Sequence, residues 1–213
     1  MTNRQATAID RVLAGVRVMP VVVIHDADHA LPLADALLEG GIKAMEVTLR
    51  TDAAIDAVAR IAKDRPEMTI GTGTIISPDD LARSMDAGAV FGVSPGLTDM
   101  LAKAAALHFD DCPLLPGTAT ASDVMRALEY GFERLKFFPA EAAGGVPMLK
   151  SLGGPLLAPK FCPTGGLTPE NAGKYLSLSN VFCAGGSWLT PADKMKAGDW
   201  AGITAIAKDA AAL

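Results

Sequence analysis

The sequence predicts an α/β fold: a single-domain (β/α)8 barrel with one extra helix at its N-terminal end. Three observations carry that expectation. Alanine-rich stretches with helical patterning alternate along the chain with short runs of Val, Ile, Leu or Phe. A glycine recurs between the two, as in "ALLEGGIKAMEVTLR", "SMDAGAVFGVSPG" and "ALEYGFERLKFFPA", where it suits the C-cap of the outgoing helix. The apolar runs are continuous rather than alternating, which marks strands covered on both faces, as in a parallel sheet.

Taken in order, the extra helix is expected near 3–14, before the first strand "VMPVVVI" near 18–24 and a helix near 28–39. "IKAMEVT" near 42–48 leads to a helix near 52–64, and "MTIGTG" near 68–73 to one near 78–87. "AVFGV" near 89–93 precedes a helix near 97–107, and "PLL" near 113–115 one near 120–130. "FERLKF" near 132–137 precedes 145–152, "KFCP" near 160–163 precedes 168–176, and "NVFCA" near 180–184 precedes 199–212. Eight such units leave roughly 25 residues each, which suits a barrel with short loops. No Pro/Gly/Ser-rich linker divides the chain, so 1–213 is expected to be one domain, with 1–16 as a helical segment capping the barrel. An open doubly wound sheet is the other arrangement weighed, but "GTGTII" at 71–76 lacks the third glycine of a dinucleotide fingerprint.

A formal charge of -5 argues against a nucleic-acid or anionic-membrane surface, so an anion site would have to be local. The start "MTNRQATAID" has no apolar core of a signal peptide, and "VVVI" at 21–24 is far too short to span a bilayer; a soluble cytoplasmic protein is expected. The three cysteines, Cys112, Cys162 and Cys183, form no C-x-x-C pair and are expected to be buried reduced thiols. His25 and His29 in "HDADH" have i, i+4 spacing but no third histidine joins them, which favours a helix start capped by Asp26 or Asp28 over a metal site.

In a barrel of this kind chemistry gathers at the C-terminal ends of the strands. There the sequence places Glu46, Thr48 and Arg50, then Thr72 and Thr74, Ser94 and Pro95, Lys136 and Phe138, and Thr164. Lys136 inside "ERLKFFPAE" is the anomaly, because lysine is almost never buried unless paired or functional. Glu46 with Arg50, and Lys136 with Phe138, have period-two spacing and can face the mouth together. An ion-pair network plugging the barrel is the bland alternative, but arginine suits such a network better, since its planar fork meets carboxylates with two bonds. Desolvation by Leu135, Phe137 and Phe138 and a like charge at Arg50 favour the neutral amine, while Glu46 favours a cation such as an iminium. Lys136 is therefore read as an amine nucleophile. The glycine pairs in "CPTGGLTPE" (162–170) and "CAGGSW" (183–188) close the last two strands, where bare amides can hold a phosphate. Trp188 and Leu189 are expected to pack.

Together "EVTLRT", "GTGT", "SPGLT", "LKFFPAE", "CPTGG" and "GGSWL" resemble, in order and over nearly the whole chain, the motifs of the bacterial 2-keto-3-deoxy-6-phosphogluconate (KDPG) and 4-hydroxy-2-oxoglutarate (KHG) aldolase family. The resemblance implies a (β/α)8 fold, a Schiff base on Lys136, proton handling by Glu46, and no cofactor beyond that covalent lysine adduct. It further implies that Arg50 and Thr74 bind the substrate carboxylate region, that Pro95, Phe138 and Thr164 line the pocket, and that Gly165, Gly166, Gly186 and Ser187 hold the phosphate. The implied partners are a phosphorylated 2-keto acid, pyruvate and two further copies of the chain in a homotrimer. Thr72 departs from the smaller residue common at that position and is expected to alter the pocket floor, while Thr164 favours the gluconate over the galactonate epimer. A metal-dependent pyruvate aldolase and a non-catalytic sugar-phosphate-binding barrel stay open as alternatives.

Overall fold

The computed structural model describes residues 3–213; Met1 and Thr2, which belong to the expected capping segment, lie outside the described residues. Helix α1 (Arg4–Val12) starts at Asn3, whose side chain accepts from the Ala6 amide. It lies against the N-terminal ends of the central strands through Gln5, which is wholly buried. The Gln5 amide donates to the Leu114 and Arg134 carbonyls at 2.9 Å each and accepts from the Glu133 and Arg134 amides at 3.0 and 2.9 Å. Ile9 and Leu13 then pack with Met19, Ala44, Phe91 and Leu115 in an apolar cluster among the strands.

The strands are β1 (Val18–Val22), β2 (Ala44–Thr48), β3 (Thr69–Gly73), β4 (Phe91–Val93), β5 (Leu114–Leu115), β6 (Gly117–Thr118), β7 (Arg134–Phe137), β8 (Lys160–Pro163) and β9 (Ala184–Gly186). Every pairing is parallel, in the orders β5-β4-β3-β2-β1-β9 and β6-β7-β8. Isolated parallel bridges join Phe161 to Val181 and Thr164 to Gly185. The helices between the strands are α2 (Ala30–Glu39), α3 (Ala54–Asp64), α4 (Pro78–Asp86), α5 (Asp99–Ala106), α6 (Ala121–Glu129), α7 (Gly145–Leu152) and α8 (Pro169–Leu176), and α9 (Ala192–Ala197) and α10 (Trp200–Ala211) follow β9. The architecture is an α/β fold with parallel strands in a curled sheet.

The glycine rhythm has its expected cause: Gly41, Gly88 and Gly131 follow α2, α4 and α6 with φ of 86°, 89° and 83°, the left-handed turn that a side chain resists. Helix faces are built from small and branched side chains at helical spacing, as in Ala54, Ala57, Val58 and Ile61 of α3. They cover an outer layer with Leu33, Leu37 and Val47, where each fully buried Leu or Ile contributes about 2 kcal/mol.

Four details depart from the sequence expectation. The fifth strand is two short pieces around Pro116, which has no amide hydrogen to continue the ladder, although its carbonyl accepts from the Lys136 amide at 2.9 Å. The last strand is displaced to Ala184–Gly186, so the Gly-Gly pair lies within it rather than after it. The short helix α9 stands between the last strand and the last helix, where the sequence pattern predicts no element. Finally, α2 is preceded by a 3-10 turn, Ala27–His29, although the cap is Asp26, one of the two residues expected there; His25 and His29 share no helix face, and His29 packs edge-on against Trp200 at 5.2 Å.

Candidate active site

Strand register decides which side chains enter the space between the strands. Glu46 is paired with Gly71 and Val47 with Thr72. Because Val47 packs in the outer cluster beneath the helices, Glu46 on the next residue faces inward. Likewise Leu135 and Phe137 of β7 pack outward, leaving Lys136 between them to face in. The two inward residues meet: Lys136 Nζ lies 3.2 Å from Glu46 Oε1, with side-chain exposures of 6% and 1%. Leu135 and Phe137 therefore flank the lysine from the opposite face, and only Phe138, its ring centroid 5.3 Å from Nζ, lies beside the amine.

A buried ion pair is a poor stabiliser unless every remaining polar atom is satisfied, because removing both charges from water costs several kcal/mol. This one is not satisfied. Glu46 Oε2 has no hydrogen-bond partner among the described residues. An orphaned carboxylate oxygen beside a buried primary amine is a cost that packing alone does not offset.

Two glycines that carried no weight in the sequence make room for this pair. A Cβ on Gly73 would fall 1.9 Å from Glu46 Oε1, and one on Gly71 would fall 2.3 Å from the Phe91 ring. "GTGT" is thus a strand whose inward positions are emptied so that Glu46 and Phe91 can occupy the interior. The threonines between them have separate roles. Thr72 is registered with Val47 on the outer face, so it does not form the pocket floor, and its buried hydroxyl has no partner among the described residues. Thr74, just past β3, has φ of 65°, the one non-glycine positive value among the described residues. For a β-branched residue this conformation is strained and persists only where the surroundings impose it. Here Leu49 donates to the Gly73 carbonyl at 2.8 Å, Ile75 donates to Val93 at 3.1 Å, and Arg50 Nε donates to Thr74 Oγ1 at 3.3 Å.

Arg50 is consequently exposed and tied to Thr74, not to Glu46 as the period-two spacing allowed. β2 ends at Thr48, so the alternation stops before Arg50. Thr48 and Ser94 belong to the scaffold: their hydroxyls donate to the Val22 and Gly96 carbonyls at 2.9 and 2.7 Å. Pro95 and Phe138 line a small cavity of about 120 Å³ with Gly117 and Thr118. Gly117 permits that approach, since a Cβ there would lie 2.2 Å from the Pro95 carbonyl oxygen.

Thr164 is buried at the end of β8, its hydroxyl against the Cys162 carbonyl at 3.4 Å and over Gly185, where a Cβ would come within 2.3 Å of Oγ1. Gly165 and Gly166 follow with φ of 101° and 80°, and the Gly166 amide finds no backbone acceptor among the described residues. Gly186 abuts the Trp188 ring, and Ser187 is exposed beside it. Ser187 also borders a cavity of about 650 Å³ with Val21, His25, Met195 and Lys196. Leu189 is wholly buried, as expected of a packing residue. The cysteines are unpaired and buried; burial pushes the Cys112 thiol up to about 12, and burial together with contact with Cys162 raises Cys183 well above the usual thiol range. Among the described residues no group of three or more His, Cys, Asp or Glu is arranged to hold a metal ion, and no helix is long and apolar enough to cross a membrane.

The family model for KDPG and KHG aldolases matches residues 9–206. The chain belongs to this aldolase family. The KHG/KDPG aldolase of Escherichia coli (strain K12) is 48% identical over 204 residues, covering 96% of this chain and 95% of its own. The structure of Legionella pneumophila KDPG aldolase with pyruvate captured at low pH as a covalent carbinolamine superposes with a TM-score of 0.90 at 44% identity, covering 97% of each chain. The Zymomonas mobilis ZM4 2-keto-3-deoxy-6-phosphogluconate aldolase with 3-phosphoglycerate also gives 0.90, at 47% identity over 96% of this chain and 95% of that one.

Proposed function

We propose that this aldolase reversibly cleaves 2-keto-3-deoxy-6-phosphogluconate to pyruvate and D-glyceraldehyde 3-phosphate through an iminium on Lys136. The observation that carries the reading is the buried Lys136–Glu46 pair with its unpartnered carboxylate oxygen. Glu46 takes the ammonium proton, the neutral amine adds to the C2 ketone to give a carbinolamine, and Glu46 returns the proton to the carbinolamine hydroxyl, which leaves as water to give the iminium and the free carboxylate. Glu46, directly or through water, removes the C4 hydroxyl proton. The C3–C4 bond then breaks, its electron pair passes into the iminium, and the aldehyde leaves. The resulting enamine is protonated at C3 from Glu46, and hydrolysis frees pyruvate and the lysine.

Arg50 and Thr74 hold the carboxylate end. Pro95, Phe138 and Thr164 line the pocket, and Gly165, Gly166, Gly186 and Ser187 bind the phosphate through amides and one hydroxyl. The covalent carbinolamine of pyruvate in the Legionella relative supports a covalent step with the 2-keto acid, and the 3-phosphoglycerate in the Zymomonas relative supports a place for a phosphorylated ligand. The same iminium serves 4-hydroxy-2-oxoglutarate, in keeping with the double name of the E. coli relative. The iminium route requires no metal or further cofactor. A purely ligand-binding barrel would reserve the lysine for its ligand, whereas Lys136 already has an internal proton acceptor.

We further infer that the strands close as a single (β/α)8 barrel domain, with β5 and β6 acting as one strand across Pro116, β9 meeting β8 through the two isolated bridges, and α1 as the cap. A cytoplasmic homotrimer suits the exposed Ile76, Met100 and Met125, apolar surface that neighbouring copies can cover. The activity is tested by following pyruvate release from the gluconate acid and from its C4 epimer. Faster cleavage of the gluconate acid is expected; release from neither would refute the proposal.

A further inference from the structure

The glycine turn after β8 is bridged to Gly185 of β9 at Thr164 and is held on its other side by the loop after β7 and by α8. Its three successive carbonyls all have donors: Thr164 accepts from the Ala140 amide at 2.8 Å and Gly165 from the Glu141 amide at 3.1 Å, both in the loop after β7, and Gly166 accepts from Asn171 Nδ2 of α8 at 3.2 Å. The Gly166 amide, unpaired along the backbone, is left for an anion. Glu141 occupies the space directly beside Gly166, where a Cβ would meet its Cβ and Cγ at 2.8 Å. The Glu141 carboxylate does not turn toward that amide, because it accepts a hydrogen bond from the hydroxyl of Tyr175, a wholly buried residue of α8. Burial, and then the bond to Glu141, raise the Tyr175 phenol above its ordinary range, so it stays a donor.

We propose that Glu141 and Tyr175 are positioning residues for the phosphoryl group of the substrate: the tyrosine hydroxyl holds the carboxylate behind the glycine turn, keeping the turn's shape and keeping a competing negative charge off its amides. The proposal rests on the phosphate role given above to Gly165 and Gly166. Nothing in it involves the reacting carbons, so it separates phosphate recognition from iminium chemistry. Removing the hydroxyl frees a carboxylate next to an anion site, whereas an amide in place of the carboxylate keeps the bond from Tyr175 and carries no charge.

The test compares wild type, Y175F, E141A and E141Q in three assays: cleavage of 2-keto-3-deoxy-6-phosphogluconate, cleavage of unphosphorylated 2-keto-3-deoxygluconate, and deuterium exchange at the pyruvate methyl group. Loss of one charge-assisted hydrogen bond predicts about a tenfold rise in KM for the phosphorylated substrate in Y175F and E141A. Pyruvate exchange and kcat stay at wild-type values, and E141Q keeps a KM near wild type. An unchanged KM in Y175F and E141A, or an equal fall in all three assays, would overturn the proposal. Should Y175F not fold, the contrast between E141A and E141Q carries the same decision. A wild-type enzyme that does not prefer the phosphorylated substrate refutes the phosphate role itself, and the positioning role with it.

Discussion

Gly73→Ala is the substitution that best separates steric access from chemistry. The added Cβ would stand 1.9 Å from Glu46 Oε1, the oxygen that meets Lys136 Nζ at 3.2 Å. Even a contact of 3.0 Å, which real Cβ atoms essentially never undercut, requires the carboxylate to withdraw by roughly 1 Å. A misplacement of that size costs on the order of 100-fold in rate. Gly73 is not in the left-handed region, so alanine fits the backbone, and overpacking is expected to cost only about 1–3 kcal/mol. Steady-state pyruvate release with thermal unfolding as a companion measurement should therefore show a folded enzyme with kcat down about 100-fold. Gly71→Ala is the control: its Cβ strikes the Phe91 ring at 2.3 Å, so it should lose stability more than turnover. A folded Gly73→Ala enzyme with wild-type kcat would refute the reasoning that the Glu46 carboxylate must stand where it does.

Three further outcomes follow from named contacts. Glu46→Gln keeps the shape and removes the proton acceptor, so kcat should fall between about 10²- and 10⁴-fold with the fold intact; wild-type turnover would remove the proton-transfer role. Gln5→Ala leaves two carbonyls and two amides without their partner at the base of the sheet, each costing about 1–3 kcal/mol, so chemical denaturation should show a large loss of stability with KM unchanged. The hydrogen bond from Arg65, opposed by slight burial and aided by the guanidinium charge, holds the Asp35 carboxyl below the usual carboxylate range. A carboxyl depressed in the folded state stabilises above its unfolded pKa, about 3.9, and loses that contribution as pH falls through the folded value. Asp35→Asn should thus cost no more than about 1 kcal/mol near neutral pH, given the pair's exposure, and the difference from wild type should vanish in acid.

Much of the site was legible because its physical oddity survives in one dimension. A lysine in an apolar strand and a glutamate in another stand out against continuous burial, and the helix-strand rhythm with its glycine caps places both at strand ends. What was hidden depends on register and on empty space. Nothing in "GTGT" distinguishes the inward Gly71 and Gly73 from the outward Thr72 until β3 is paired with β2. The alternation that grouped Arg50 with Glu46 assumed a strand continuing past Thr48, where the chain instead turns to meet Thr74. Pro116 splits a strand by withholding one donor, and Gln5 secures α1 by contacts about 110 to 130 residues distant in sequence, neither of which a local pattern reports.

The most direct test of iminium chemistry on Lys136 is to incubate the protein with pyruvate, reduce with borohydride and locate the mass increment by peptide sequencing. A reduced pyruvyl adduct on Lys136 alone is the expected result. No adduct, or one confined to exposed lysines such as Lys103 or Lys150, would contradict it.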